Sequence, residues 1–367
     1  MAIQTDITQT TTGDLTEVND YSSDPVNLDG PQDPTKTRYS NPDFPKWLGY
    51  YDGSNDKANP ELKQALHRYA TWVLGMGYTV SPRDKSNLDL IRGMGEDTFN
   101  SILWNMLVIK KVNGDSYAQI IRDEDKLNVI NIKPLNCSRI TTVIGGDGII
   151  EEYEYRDASL KQVERILKPS EVLHLMNDRI GDQVHGTSTI KAIQWALDAK
   201  KEASHIYRKI LKRSNVRILY VEEDDKTRLS NLQTDYKDAI DKGDLLILPI
   251  KVGEGKFEDL QLPPVQSFLA WIQNLDNVIS NGVGIPKIIG GDGEGTTESG
   301  GKMVYLGFEP IYMREIIELE ADLWNQLGIK ITFNRPPSIT DNVSQTESKN
   351  QAQTSIQPND ITGGSGK

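Results

Sequence analysis

The residues with the most evident chemical potential sit between Gly290 and Gly301, in the run GGDGEGTTESGG. Gly290, Gly291, Gly293, Gly295, Gly300 and Gly301 are interspersed there with Asp292, Glu294 and Glu298. A glycine-rich loop cradles phosphate when its N–H groups face the anion and a lysine closes the site. A P-loop therefore needs Gly-x-x-x-x-Gly-Lys followed by Ser or Thr, after a strand and before a helix. Counting back from Gly301-Lys302, the first required glycine falls on Thr296 and the required hydroxyl on Met303, and a helical pattern precedes the run. Its three carboxylates also repel phosphate. The stretch reads as a mobile acidic loop and not as a nucleotide site.

Nor do the other reactive residue types assemble into a catalytic pattern. His67, His174, His185 and His205 show no metal-ligand spacing; His174 and His185, separated by a loop, are as compatible with chance as with a site. Cys137 is the sole cysteine, which rules out an intrachain disulfide, and it reads as a small buried hydrophobe. No Gly-x-Ser-x-Gly elbow is present. These residues predict a non-enzyme without cofactor or metal; a nucleotide-dependent enzyme or hydrolase is the weaker alternative. Arg208, Lys209, Lys212 and Arg213 cluster at one helix end, where they either complement the helix dipole or make weak phosphate contacts.

Charge and composition narrow the partners. With 41 basic and 53 acidic residues in 367, the net charge is -12. A protein that wraps a phosphate backbone needs the opposite balance, although a surface past which nucleic acid slides does not. The mean hydropathy is -0.50. Residues 1–40 and 341–367 are polar, nearly without large apolar groups, and read as disordered tails. The N-terminus lacks the basic and apolar regions of a secretory signal, and no run approaches the roughly 18 apolar residues of a membrane span.

Periodicity then places the elements around the acidic loop. Residues 60–74 put Leu62, Leu66, Tyr69, Ala70 and Val73 on one helix face before Gly75 and Gly77, and a strand follows at Tyr78. A second helix spans 97–112, with Phe99, Ile102, Leu103 and Met106 inward. The period then changes to two, predicting a four- or five-stranded antiparallel meander from Gly114 to Asp157, and one more strand at Glu171–Leu175. A helix of about 26 residues begins at Thr187 or Ser188, with Ile190, Ile193, Leu197, Ile206, Tyr207, Ile210 and Leu211 as its stripe. A small α/β insertion leads to a helix from Pro264, with Val265, Phe268, Leu269, Ile272, Leu275 and Ile279 inward and Gly282 as its end. After the acidic loop, a helix over 305–327 turns Tyr312, Ile316, Leu319, Leu323 and Leu327 inward and Glu315, Glu318, Glu320 and Asp322 outward, with Pro310 kinking or delaying its start. A last strand spans 329–334.

This order of parts resembles the portal proteins of tailed double-stranded DNA viruses over residues 45–335. The likeness rests on the Gly-Asp-x-Tyr turn at Gly114 to Tyr117, the strand ending near His174, the Gly186-Thr187-Ser188 helix start, the long helix, the insertion, and the Gly284-Ile285-Pro286 turn closing the next helix. The resemblance implies a ring-forming α+β fold. In it, 41–186 form a wing, 187–213 and 263–284 the stem helices, 214–262 the clip, 285–303 a tunnel loop, and 304–340 a helix and strand returning to the wing. It implies a ring, usually of twelve subunits, at one capsid vertex, through which DNA is packaged and ejected. The implied partners are the terminase large subunit, major capsid and scaffold proteins and a head-tail adaptor, with assembly in the host cytoplasm and no membrane. Gly290, Gly291, Asp292, Gly293, Glu294, Gly295 and Glu298 would face DNA. The helical C-terminal crown of larger portals has no counterpart, since a polar tail follows Asn334. A ring-forming adaptor of another assembly shares the same helix-insertion-helix logic.

Overall fold

The computed structural model describes residues 36–54, 59–125, 128–157, 159–213, 217–221, 227, 230–231, 234, 245–249, 257–259, 265–286, 288–289 and 298–336. The chain divides into a unit comprising Met1–Ala192 with Ser280–Lys367, and a second comprising Ile193–Ile279.

The first unit is α+β. It opens with strand β1 (Thr37–Tyr39), followed by helices α1 (Phe44–Asp52), α2 (Pro60–Leu74), α3 (Pro82–Leu88) and α4 (Phe99–Asn113), with β2 (Tyr78–Thr79) between α2 and α3. Helix α2 keeps its expected bounds for local reasons. The Asn59 side chain accepts from the Leu62 amide, Pro60 opens the first turn, and Gly75 follows the last one. Its whole predicted stripe is buried, as is that of α4, which starts in a reciprocal Thr98/Ser101 capping box.

The expected single meander is instead two sheets. Strands β3 (Asp115–Arg122), β4 (Val129–Leu135) and β8 (Val172–Met176) form one in the order β4-β3-β8. Strands β5 (Ile140–Ile144), β6 (Ile150–Arg156) and β7 (Val163–Leu167) form the other with β1, in the order β1-β5-β6-β7. Local alternation identifies strands but not partners, and β1–β5 and β3–β8 are long-range pairings. The place of β1 also corrects the tail expected over 1–40: Thr37 to Tyr39 pair antiparallel with Thr142 to Ile144. Residues 1–35 lie outside the described part, as do 337–367. Phe44, Tyr117, Leu135, Ile140, Tyr153, Tyr155 and Val172 make a buried core shared by α1 and both sheets.

Helix α7 runs from Glu298 to Leu327, seven residues earlier than the sequence pattern places it, with Pro310 inside it. Ser299, Gly300 and Gly301 are therefore helical and not part of a loop. On α2, Trp72 meets Tyr305, Phe308 and Tyr312 of α7, with ring centroids 5.6–5.8 Å apart. Gly328, at φ 75°, ends α7, and β12 (Thr332–Phe333), shorter than expected, pairs with β2.

The second unit contains most of α5 (Thr189–Arg213) and of α6 (Val265–Val283), with β9 (Arg217–Val221), β10 (Leu245–Pro249) and β11 (Phe257–Asp259) between them in sequence. Lys200 reaches Asp276 at 2.5 Å, and the Tyr207 and Phe268 rings stack at 4.2 Å. Ascending α5 thus corresponds to descending α6, which makes the helices antiparallel. Strand β9 pairs parallel with β10 and antiparallel with β11. A parallel pair requires a crossover. Within the insertion, Thr227, Ser230, Asn231 and Thr234 are described and helical. Two predicted stripe positions turn outward: Ile206 is 47% and Leu269 51% exposed. Helix α6 ends two residues later than expected, because Gly284, at φ 85°, adopts the left-handed conformation assigned from sequence to Gly282.

Candidate functional site

The short motifs scattered from Gly114 to Ser188 meet at one buried carboxylate. Asp115 is fully buried; its Oδ1 accepts from His174 Nε2 at 3.0 Å and from the Gly186 amide at 3.0 Å, and its Oδ2 from His185 Nδ1 at 2.9 Å. Burial pushes the Asp115 pKa up, but the two histidine hydrogen bonds outweigh it and hold it at about 2. An ionised carboxylate only accepts, so both imidazoles must donate to it. His174 Nδ1 is then free to accept from the Tyr153 hydroxyl at 3.0 Å. Sequence spacing alone could not distinguish this pairing of His174 and His185 from chance.

Backbone packing completes the node. Gly114, at φ 90°, and Gly186 lie so close that a Cβ on either would sit 2.2 Å from the other's carbonyl oxygen. The Asn177 amide donates to the Gly114 carbonyl at 2.7 Å and the Thr187 amide to the Asn177 carbonyl at 2.7 Å. Ser188 Oγ donates to the Val112 carbonyl and accepts from the Ile190 amide, capping α5 as its position in sequence suggests. The node therefore sets where α5 starts relative to α4, β3 and β8. It is a positioning device, with Asp115, His174, His185, Asn177 and Ser188 all buried.

A second ionic cluster lies on α7 and corrects an expectation. Glu315, assigned to the outer face on residue type, is 4% exposed. Its carboxylate meets Lys110 Nζ at 2.6 Å and Lys111 Nζ at 2.7 Å, and accepts from the Tyr69 hydroxyl at 3.1 Å. Burial raises its pKa, but the two ammonium charges win and bring it to about 2. Lys111 also donates to Asn177 Oδ1 at 2.7 Å, which links the two clusters. Further along α7, the Gln326 side chain donates to the His174 carbonyl and accepts from its amide, satisfying the outer edge of β8 as another strand would. Beside Glu315 an open cavity of about 340 Å³ is lined by Tyr69, Lys111, Asp178, Arg314 and Glu318 among others.

Among the described residues, no group of His, Cys, Asp and Glu is arranged to hold a metal ion, and no helix is long and apolar enough to cross a membrane. Cys137 is buried, and burial pushes its thiol up to about 12, the reverse of an activated nucleophile.

A sequence profile described as "Phage portal protein" matches residues 91–354, a span that includes the Asp115 node, Lys110, Lys111 and Glu315 of the second cluster, α5, α6 and α7. The chain belongs to the phage portal protein family. Solved structures agree in fold. The chain is similar to one in the virion of a native gene transfer agent particle, at TM-score 0.59 and 16% identity over 94% of this chain and 95% of that one. It is similar to a chain in the neck of an empty gene transfer agent particle computed with C6 symmetry, at TM-score 0.60 and 16% identity over 94% and 96%. An HK97 family phage portal protein from Corynebacterium diphtheriae matches at TM-score 0.51 and 12% identity, over 75% of this chain and 92% of that one. No curated protein sequence matches.

For a portal-family chain, the expected DNA-facing residues are distributed unevenly over the described part. Gly290, Gly291, Asp292, Gly293, Glu294 and Gly295 lie outside it, and Glu298 is the first residue of α7. Of the basic cluster, Arg208 and Lys209 are exposed on α5; Lys212 and Arg213 belong to the helix, and their side chains lie outside the described part. The motif pieces between Gly114 and Ser188 thus converge on the Asp115 node.

Proposed function

We propose that this protein is the portal subunit of a tailed-phage-type particle, closing into a ring, usually of twelve copies, through which double-stranded DNA enters and leaves. The observation that carries the reading is the portal-family match over residues 91–354, within which an antiparallel helix pair, α5 and α6, brackets a three-stranded sheet. The neck of a native gene transfer agent particle computed with C12 symmetry contains a chain similar to this one, at TM-score 0.58 and 16% identity, which supports the ring.

On this reading α5 and α6 form the stem, 214–262 the clip, the first unit the wing, and the acidic run before α7 the tunnel loop. The terminase large subunit docks during packaging and a head-tail adaptor afterwards, while scaffold and major capsid proteins hold the ring at one vertex. No catalytic residue is assigned. A channel must not grip its cargo, and Asp292, Glu294 and Glu298 on a glycine-rich backbone would repel passing phosphates. Arg208, Lys209, Lys212 and Arg213 would offer weak, sliding phosphate contacts. Replacing Asp292, Glu294 and Glu298 together by Lys tests this: rings should still form, but particles should fill poorly or eject DNA slowly. Normal filling and infectivity would remove the electrostatic role from the loop. Failure of the unmodified ring to bind a packaging ATPase would favour an adaptor of another assembly.

A further inference from the structure

Helix α7 has two apolar faces where a helix at the surface of a single chain needs one. At 3.6 residues per turn, Tyr305, Phe308, Tyr312, Ile316, Leu319 and Leu323 share one side, and all are buried. On the opposite side Met303, Leu306, Pro310, Ile317 and Trp324 follow one another at helical spacing. Met303 is 71% exposed, Leu306 41%, Ile317 56% and Trp324 54%. Of the charged residues flanking Ile317, Arg314 is paired with Glu318 at 2.7 Å and Glu320 accepts from the Phe333 amide at 2.8 Å. Solvent-facing helix surfaces are ordinarily charged, and scattered single hydrophobes do not produce a stripe about 30 Å long.

At about 200 Å² per large side chain, the four exposed groups present on the order of 450 Å² of surface, about half of the roughly 800 Å² that each partner contributes to a standard interface. The chain's own C-terminal segment is a poor cover, since Ile339, Val343, Ile356 and Ile361 are the only large aliphatic residues after Pro336.

We propose that the outer stripe of α7 is buried against a second copy of this chain, on a different face of that copy, so that the contact repeats around the ring. A face that meets a non-identical face is what closes a cyclic assembly instead of stopping at a dimer. This rests on the portal reading and deepens it by naming a subunit-facing surface.

The test uses the full chain and the double variant Ile317→Glu with Trp324→Glu, followed by native mass spectrometry and circular dichroism. The expected result is an unchanged spectrum, with the ring population lowered at least about tenfold at equal concentration. Rings persisting in the variant would overturn the stripe and leave the portal reading standing. An unmodified chain that stays monomeric at every concentration would overturn both. Should the variant misfold, a benzophenone amino acid at position 317 decides: cross-links between copies are expected, and cross-links confined to residues 337–367 of the same chain, or none, would overturn the proposal.

Discussion

The two units solve the problem of rigidity in opposite ways. The first surrounds its ionic groups with protein: Asp115 is gripped by two buried histidines and a backbone amide, and Glu315 by buried Lys110, half-buried Lys111 and buried Tyr69. In the second, among the described residues, Ile193, Leu197, Leu275 and Ile279 are buried, yet Trp195 is 55%, Trp271 47% and Leu269 51% exposed. A lone chain leaves these aromatic and aliphatic faces wet. The difference teaches that the first unit fixes its geometry through buried ionic contacts and leaves the α7 stripe for assembly, whereas the helix pair leaves Trp195, Trp271 and Leu269 on its surface.

The largest expected effect breaks the first half of that comparison. Glu315→Ala would strand the buried Lys110 charge and leave half-buried Lys111 without its carboxylate, and chemical denaturation should show a loss of about 3–5 kcal/mol. Acid should act through the same group. Its folded pKa of about 2 lies below the ordinary value of 4.5, so its contribution is fully present above about pH 4.5 and is lost as pH falls toward 2. That amounts to roughly 3 kcal/mol. Asp115, ordinarily at 3.8 and held at about 2, adds a loss of the same sign over pH 3.8 to 2. Thermal melts between pH 6 and 2.5 should show the decline, flattened in Glu315→Gln.

Gly186→Ala should cost about 1–3 kcal/mol, because the new Cβ meets the Gly114 carbonyl at 2.2 Å and the backbone must shift. The same variant should loosen the start of α5, seen as faster hydrogen exchange at residues 189–192. Smallest is Trp271→Ser, expected to change the stability of the isolated chain by no more than about 0.5 kcal/mol while weakening assembly. A large loss of monomer stability there would erase the contrast between the units.

Much of this fold can be read locally. Helix α2 has a capping asparagine, a first-turn proline and a closing glycine within 17 residues, so both ends were predictable. Strand β8 and the Ser188 cap were equally local. What failed was tertiary. Glu315 was assigned to solvent because acidic residues usually belong there, and its partners lie over 200 positions away in sequence. The two-sheet arrangement depends on pairings that no periodicity contains, and β1 was hidden in a polar segment that owes its order to β5. Helix α1 did leave a signal, Phe44, Trp47 and Tyr50 at spacing three before Gly53. At the site, the motif pieces were all visible, but their convergence on Asp115 was not, because it depends on the fold bringing together residues 59 and 70 positions apart.

The central claim, that this portal-family chain works as a ring around DNA, is tested most directly by native mass spectrometry of the purified protein with negative-stain class averages. The account predicts a closed ring, of about twelve copies, with a central hole wide enough for duplex DNA. A small defined oligomer without a hole would contradict it.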